Sequence, residues 1–248
     1  MTRITTMPGE SSAPRIDRES VATFFKERAE KAAQLGHVQA VIYQDKNPDL
    51  ARQRDAMEKA KLLPLLRLDG TQAVLDVGCG TGRWADVLVP MSTRYVGTDF
   101  SQELVDIATS RFSTTPQASF LCVPAESVSR EIVGGPFQVV VSLGLFIYLN
   151  DDELEKTVTG YADVADSSCS ILLREPIGTQ GRLTIKEHFS DDMDQVYNAI
   201  YRTEDEILDA IEKSLIAKGF RLVSSGDVYD ASLSNRTDTK QKWFLLER

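Results

Sequence analysis

The chain has 248 residues, 42% of them hydrophobic, which suffices for one large domain or a domain with a lid. Its formal net charge of −9, without any Lys/Arg run, argues against a general nucleic-acid binder, which needs a basic face to displace counterions from phosphates. Cys79, Cys122 and Cys169 are odd in number and set apart in apolar segments, so they read as reduced thiols, and two histidines without a Cys-x-x-Cys pair give no expectation of a metal site.

Residues 1–14, rich in Ser, Thr, Pro and Gly, read as a flexible leader that lacks the apolar core of a signal peptide. No apolar run approaches the length of a membrane span, and the expected location is cytoplasmic. Residues 15–70 read as an N-terminal helical cap, with Ser20 as a candidate cap for the first helix and Asn47-Pro48 as a break. From Thr71 the character changes. Runs rich in Val, Ile and Leu at Ala73–Val77, Tyr95–Thr98, Ser119–Val123, Gln138–Leu143 and Ser168–Arg174 alternate with helical segments at Gly82–Val89, Gln102–Phe112 and Asp151–Val164. Such alternation implies parallel strands joined by crossover helices and buried on both faces. An insertion at 178–202 follows the fifth strand and reads as a lid. Thr203 and Glu206 then form a capping box, Ile207, Leu208, Ile211, Leu215 and Ile216 make one apolar face, and Gly219 stops the helix. Phe220–Ser224 and Lys242–Leu246, separated by a polar loop at Asp230–Gln241, should pair antiparallel.

The stretch LDVGCGTGRW, Leu75–Trp84, leaves the first of these strands with Gly78, Gly80 and Gly82 at alternate positions. A phosphate-binding P-loop would need Lys and then Ser/Thr after its second glycine, where this chain has Arg83 and Trp84. A dinucleotide turn would need Gly-x-Gly-x-x-Gly, one residue longer than the spacing here. The remaining reading is a turn that packs backbone against a nucleoside carrying no phosphate. Asp99, at the end of the next strand and about 20 residues on, suits a ribose in this class of sheet.

Asp76-Val77-Gly78-Cys79-Gly80-Thr81-Gly82 followed by Asp99 closely resembles the class I S-adenosylmethionine-dependent methyltransferase family, and the resemblance extends over roughly residues 71–248. It implies a Rossmann-like α/β fold: a seven-stranded sheet, mostly parallel with an antiparallel C-terminal hairpin, helices on both faces and the N-terminal helical cap. It implies S-adenosylmethionine as cofactor, with Asp76, Gly78, Cys79 and Gly80 around its methionine and ribose, Asp99 on the ribose hydroxyls and Phe100 against the adenine. In the family the third strand ends in an acid followed by Ala; here Pro124 replaces that acid, leaving Ala125 and Glu126 to frame the ring. Ser142 and Leu143 correspond to the segment beneath the methionine, with Phe146 and Tyr148 toward the acceptor. In the cap, Tyr43, Arg52 and Arg54 are candidates for the cofactor, one of the two arginines suiting its carboxylate.

For the acceptor and the chemistry, Arg174 and Glu175 stand at the carboxyl end of a strand, where ligand crevices of open sheets lie, and His188, Tyr197 and Tyr201 stand in the lid. Each has a second reading. Arg174 with Glu175 suits a structural ion pair, His188 beside Glu187 a surface histidine, and Tyr197 with Tyr201 the packed face of a helix. Asp191, Asp192 and Asp194 suit either a cationic acceptor or a solvated helix face. The expected acceptor is a small molecule methylated on nitrogen or oxygen, neither nucleic acid nor membrane being a partner, and oligomeric state is not assigned. The segments LREPIG and TKQKWFLLER look similar to enzymes that tailor bacterial sugars and secondary metabolites. Methylation at carbon, a NAD-dependent oxidoreductase and a non-catalytic cofactor-binding protein remain as alternatives.

Overall fold

A computed structural model of the chain describes residues 2–6, 13–230, 233 and 236–248. In chain order the elements are β1 (Thr2–Thr6), α1 (Arg18–Leu35), α2 (Gln39–Ile42), α3 (Pro48–Leu62), β2 (Ala73–Val77), α4 (Ala85–Leu88), β3 (Arg94–Asp99), α5 (Gln102–Arg111), β4 (Ala118–Cys122), α6 (Arg130–Val133) and β5 (Phe137–Leu143). They continue with α7 (Asp151–Val164), β6 (Ala165–Gly178), β7 (Arg182–Ser190), β8 (Gln195–Tyr201), α8 (Glu204–Ser214), β9 (Arg221–Asp227) and β10 (Thr239–Glu247).

Seven strands form the main sheet in the order β4-β3-β2-β5-β6-β10-β9, parallel from β4 to β6 and antiparallel where β10 meets β6 and β9. Successive residues of the middle strands feed opposite cores. Ile171 and Leu173 point into a cluster with Val158 and Tyr161 of α7 and Ile207 of α8, whereas Leu172 joins Leu62 of α3 and Leu88 of α4 on the other face. That is why these runs are apolar without alternation: both faces are covered. A third cluster lies above the sheet's carboxyl edge and joins Phe24 and Phe25 of α1 to Ile185 of β7 and Tyr197 and Tyr201 of β8.

The differences from the sequence reading concern the periphery. The first helix is capped by Asp17, whose Oδ2 accepts from the Ser20 backbone N–H at 2.7 Å, so Ser20 lies inside the helix. Within the segment read as a flexible leader, Thr2–Thr6 is a strand paired antiparallel with β7; residues 1 and 7–12 of that segment lie outside the described residues. The insertion at 178–202 is a β-hairpin, β7 with β8, and β1 completes it as a three-stranded sheet. β10 begins at Thr239, inside the expected polar loop, of which residues 231, 232, 234 and 235 lie outside the described residues. No described helix is long and apolar enough to cross a membrane.

Leu172 is fully buried between β5, β10 and the α3 side of the sheet. Leu172→Ala should cost about 2–5 kcal/mol of stability through lost burial and the cavity left behind. Urea unfolding followed by circular dichroism measures this, and a loss below about 1 kcal/mol would contradict the packing described.

Candidate active site

Strand order reverses between β2 and β5, and a crevice opens at such a switch point outside the carboxyl ends of the strands. The turn after β2 borders it. Gly78 and Gly80 have φ of +79° and +55°, a left-handed region that disfavours side chains, and this curls the backbone so that the Gly80 N–H donates to Asp99 Oδ2 at 2.9 Å. The other oxygen of Asp99 accepts from the Ser101 N–H at 3.0 Å. Burial pushes the Asp99 carboxyl up to about 6, against those backbone donors. Burial likewise lifts Asp76 to about 6, although the Tyr95 hydroxyl donates to it at 2.7 Å.

Beyond Asp99 the wall is made by Phe100, Val123, Ala125 and Glu126. Phe25 of α1 meets Phe100 edge-on, with ring centroids 5.4 Å apart. From the cap, Val41 closes over the glycine turn: a Cβ on Gly80 would lie 3.2 Å from it. Tyr43 has φ +61° and lies edge-on to Phe24, and the Arg28 guanidinium is 5.3 Å from its ring centroid.

A cavity of about 670 Å³ runs from this turn to the underside of the β7–β8 hairpin. Asp76, Gly78, Cys79, Gly80, Asp99, Phe100, Ala125, Glu126 and Leu143 line one part of it, and Tyr43, Arg54, Tyr148, Arg174, His188, Tyr197 and Tyr201 also face it. Tyr197 and Tyr201 share a face of β8, and their hydroxyls are hydrogen-bonded to each other. A helix is not what puts them together: residues four apart are also on one side of a strand. His188 owes its place to a bulge. Ile185 pairs with Ala199 and His188 with Tyr197, so β7 carries one extra residue, and Glu187 takes φ +50° within it. Asp191 and Asp192 are on the exposed turn of this hairpin at the cavity's edge, not on a helix.

Three expected site residues lie outside the cavity lining. Glu175 is fully buried, and its two carboxylate oxygens accept from the backbone N–H groups of Leu145 and Phe146, both at 3.0 Å, so it braces the turn after β5. Burial pushes its carboxyl up to about 7. Phe146 stacks on Tyr161 at a centroid distance of 6.4 Å, inside the core beneath the sheet. Ser142 is also fully buried, behind Leu143. Arg174 does not pair with its neighbour Glu175: its Nε lies 2.9 Å from Glu58 of α3. Arg54 donates to the Leu233 carbonyl at 2.6 Å, and Arg52 pairs with Asp49 on the surface. Sequence reasoning missed Arg18, Phe25, Glu58 and Tyr229, which come from the cap and the C-terminal segment, and Arg3, which β1 brings to the lid. Only the amphipathic spacing of Val21, Phe24 and Phe25 in α1 carried a signal for any of them.

Comparison with known proteins agrees with this geometry. Residues 74–167 match the family described as methyltransferase domain. A phosphoethanolamine N-methyltransferase of Triticum aestivum is 26% identical over 142 residues, which is 57% of this chain and 26% of that protein. Among solved structures, phosphoethanolamine N-methyltransferase 1 of Haemonchus contortus, with phosphoethanolamine and S-adenosylhomocysteine, aligns with a TM-score of 0.72 at 18% identity over 93% of this chain and 48% of that one. Magnesium protoporphyrin IX methyltransferase of Synechocystis, with S-adenosylmethionine bound, aligns with a TM-score of 0.60 at 19% identity over 96% of this chain and 100% of that one. The chain thus spans about a quarter of the plant relative's length and about half of the nematode one's. The glycine turn, Asp99 and the reversed sheet edge meet on one crevice, residues 74–167 match a methyltransferase domain, and the fold is that of solved S-adenosylmethionine-dependent methyltransferases.

Proposed function

We propose that the protein transfers a methyl group from S-adenosylmethionine to nitrogen or oxygen of a small molecule, an amine being the first acceptor to try because similar proteins are named for phosphoethanolamine. The observation that carries the reading is the single cavity that joins the Asp99 wall to the lid residues His188, Tyr197 and Tyr201. Its volume, about 670 Å³, lies in the range of small-molecule sites. The residues suit the cofactor. Asp99 offers a buried carboxylate to ribose hydroxyls, the turn at Gly78 and Gly80 leaves backbone uncovered by side chains, and Phe100 offers a ring face to a base. When bound, the cofactor supplies a sulfonium-activated methyl group.

The chain's own part is then mostly positioning, which can supply several kcal/mol of barrier reduction. The lid hairpin and α1 exclude water above the crevice, and Tyr148, Tyr197 and Tyr201 orient the acceptor. His188 takes the proton of an acceptor that arrives protonated; its Nδ1 is buried without a hydrogen-bond partner among the described residues. The resemblance noted above to enzymes of bacterial secondary metabolism points to where acceptors should be sought.

Calorimetric titration should give binding of S-adenosylhomocysteine and none of NAD; the reverse would replace this reading with an oxidoreductase. Asp99→Asn should weaken S-adenosylhomocysteine roughly ten- to hundredfold, because ribose hydroxyls lose a charged acceptor. Unchanged affinity would remove Asp99 from the site. Affinity should also fall with acid. With the Asp99 carboxyl at about 6, moving from pH 7.5 to pH 5 protonates it and should weaken binding by about tenfold, and Asp99→Asn should lose that share of the dependence, leaving only what Asp76, also at about 6, contributes. His188→Ala should lower turnover of an amine acceptor by about a hundredfold with S-adenosylhomocysteine affinity intact, and a wild-type rate would retire the histidine as base.

A further inference from the structure

We propose that the part of the cavity at the end of β6 and the start of β10 is an oxyanion subsite, in which Arg3 and Arg236 bind a phosphate or carboxylate group of the acceptor. This rests on the acceptor reading above. Charge is divided along the cavity. Among the described residues, β1, α3, the end of β6 and the segment 229–241 line it with five cationic side chains, Arg3, Arg54, Arg174, Arg236 and Lys240, against one carboxylate, Glu58. The other carboxylates of the lining stand elsewhere: Asp76 on β2, Asp99 on β3, Glu126 after β4, and Asp191 and Asp192 at the tip of the hairpin. Arg18 and Arg83 line the cavity too, but Arg18 pairs with Glu126, and Arg83 with Asp55 and Glu58. The sheet order sets β2, β3 and β4 on one side of the switch point and β6 and β10 on the other, so the acidic and cationic walls are on opposite sides. An anionic group is repelled by the first and drawn to the second.

Two of the cations form a cluster. Arg236 Nε and Nη2 donate to the two oxygens of Asp238 at 2.9 and 3.1 Å, and Arg3 donates to Asp238 Oδ2 as well. Arg236 holds the Asp238 carboxyl below the usual carboxylate range, so these three groups together carry a net positive charge at neutral pH. Asp238 does not line the cavity, whereas both arginines do. β1 places Arg3 opposite Ile185 of β7, and cross-strand partners share a face. Arg3 therefore stands on the same face of the three-stranded sheet as Ile185 and, on β8, Tyr197 and Tyr201. The guanidinium carbon of Arg236 lies 5.2 Å from the centroid of the Tyr201 ring, whose hydroxyl meets that of Tyr197. Planar guanidinium forks match the paired oxygens of a phosphate or carboxylate. His188 pairs with Tyr197 in the same register, so an anion held by the arginines and the imidazole share one face of the hairpin.

The test is calorimetric titration of inorganic phosphate and of acetate, at constant ionic strength, into the protein saturated with S-adenosylhomocysteine. At least one of the anions should bind with a Kd of about 1 mM or lower, as charge-assisted pairs with two arginines allow. Tighter phosphate marks a phosphorylated acceptor, and tighter acetate one that bears a carboxylate. Arg3→Gln and Arg236→Gln should each weaken that anion by about tenfold, with S-adenosylhomocysteine affinity within about twofold of the wild type. Arg236→Lys, which keeps the charge, should recover part of the loss. Arg221→Gln, which removes an exposed cation of β9, should leave anion binding unchanged. No saturable binding of either anion by the wild type, or equal weakening by Arg221→Gln, overturns the subsite while leaving the methyltransferase reading intact. Competition between the anion and S-adenosylhomocysteine also overturns it, because the anion would then occupy the cofactor's part of the cavity. A merely structural Arg3–Asp238–Arg236 bridge would lower the melting temperature of the variants without changing their anion affinity, and that result overturns it too. Absence of S-adenosylhomocysteine binding by the wild type overturns the cofactor reading, and with it the assignment of the anion to an acceptor.

Discussion

A carboxylate taken out of water at the end of β3 is the constraint on which the crevice depends. Asp99 is tolerable there only because backbone N–H groups of Gly80 and Ser101 donate to it, since an unpaired buried charge costs far more than a neutral group. To supply the first of these donors, the turn after β2 has to curl across the end of β3, where the N–H groups of both Gly78 and Cys79 also meet the Thr98 carbonyl. That crossing in turn requires Gly97, because a Cβ there would lie 2.9 Å from the Cys79 sulfur. The glycines, the cysteine and the aspartate are thus one geometric solution, and the uncovered backbone it leaves is the floor on which a nucleoside can rest.

A second buried carboxylate ties the periphery to that floor. Glu58 of α3 accepts from Arg83 and Trp84 at the glycine turn, at 2.8 and 2.9 Å, and from the Tyr229 hydroxyl at 3.2 Å, and it pairs with Arg174 at the end of β6. Burial alone would raise its carboxyl, but Arg174 and Arg83 outweigh burial and hold it at about 2. Removing one member of such a network leaves the others buried and uncompensated, so cap, turn and C-terminal segment are positioned together. Arg83, the residue that made the glycine pattern unlike a P-loop, is therefore occupied with holding the turn, not with a phosphate.

The main sheet was legible because its cause is local: an apolar run between turn residues has few other places to go in a chain of this size. The glycine turn with Asp99 was legible for the same reason, being a constraint on backbone close in sequence. The lid was not. Tyr197 and Tyr201 satisfy helical and strand periodicity equally, and the bulge that turns His188 inward depends on its pairing with β8, which no local pattern reveals. β1 was invisible because its partner lies about 180 residues away, so its Ser- and Thr-rich surroundings looked like a tail. Glu175 was misread because a charged residue at a strand end suggests a crevice, whereas this one is buried to satisfy the turn that follows β5.

The character of the cavity wall beneath β7 and β8 then limits the chemistry it can perform. Burial pushes Tyr43 up to about 12 and raises Tyr148, Tyr197 and Tyr201 as well, so at neutral pH these phenols are neutral hydrogen-bonding groups and not bases. Arg174 is engaged by Glu58, and Glu175 is turned away into the backbone of the β5 turn. The His188 imidazole, by contrast, is brought to the cavity by the bulge in β7, on the same hairpin as the Asp191 and Asp192 carboxylates. If His188 is the base proposed above, proton removal and exclusion of water fall to one element, because the β7–β8 hairpin both carries the imidazole and lines the cavity.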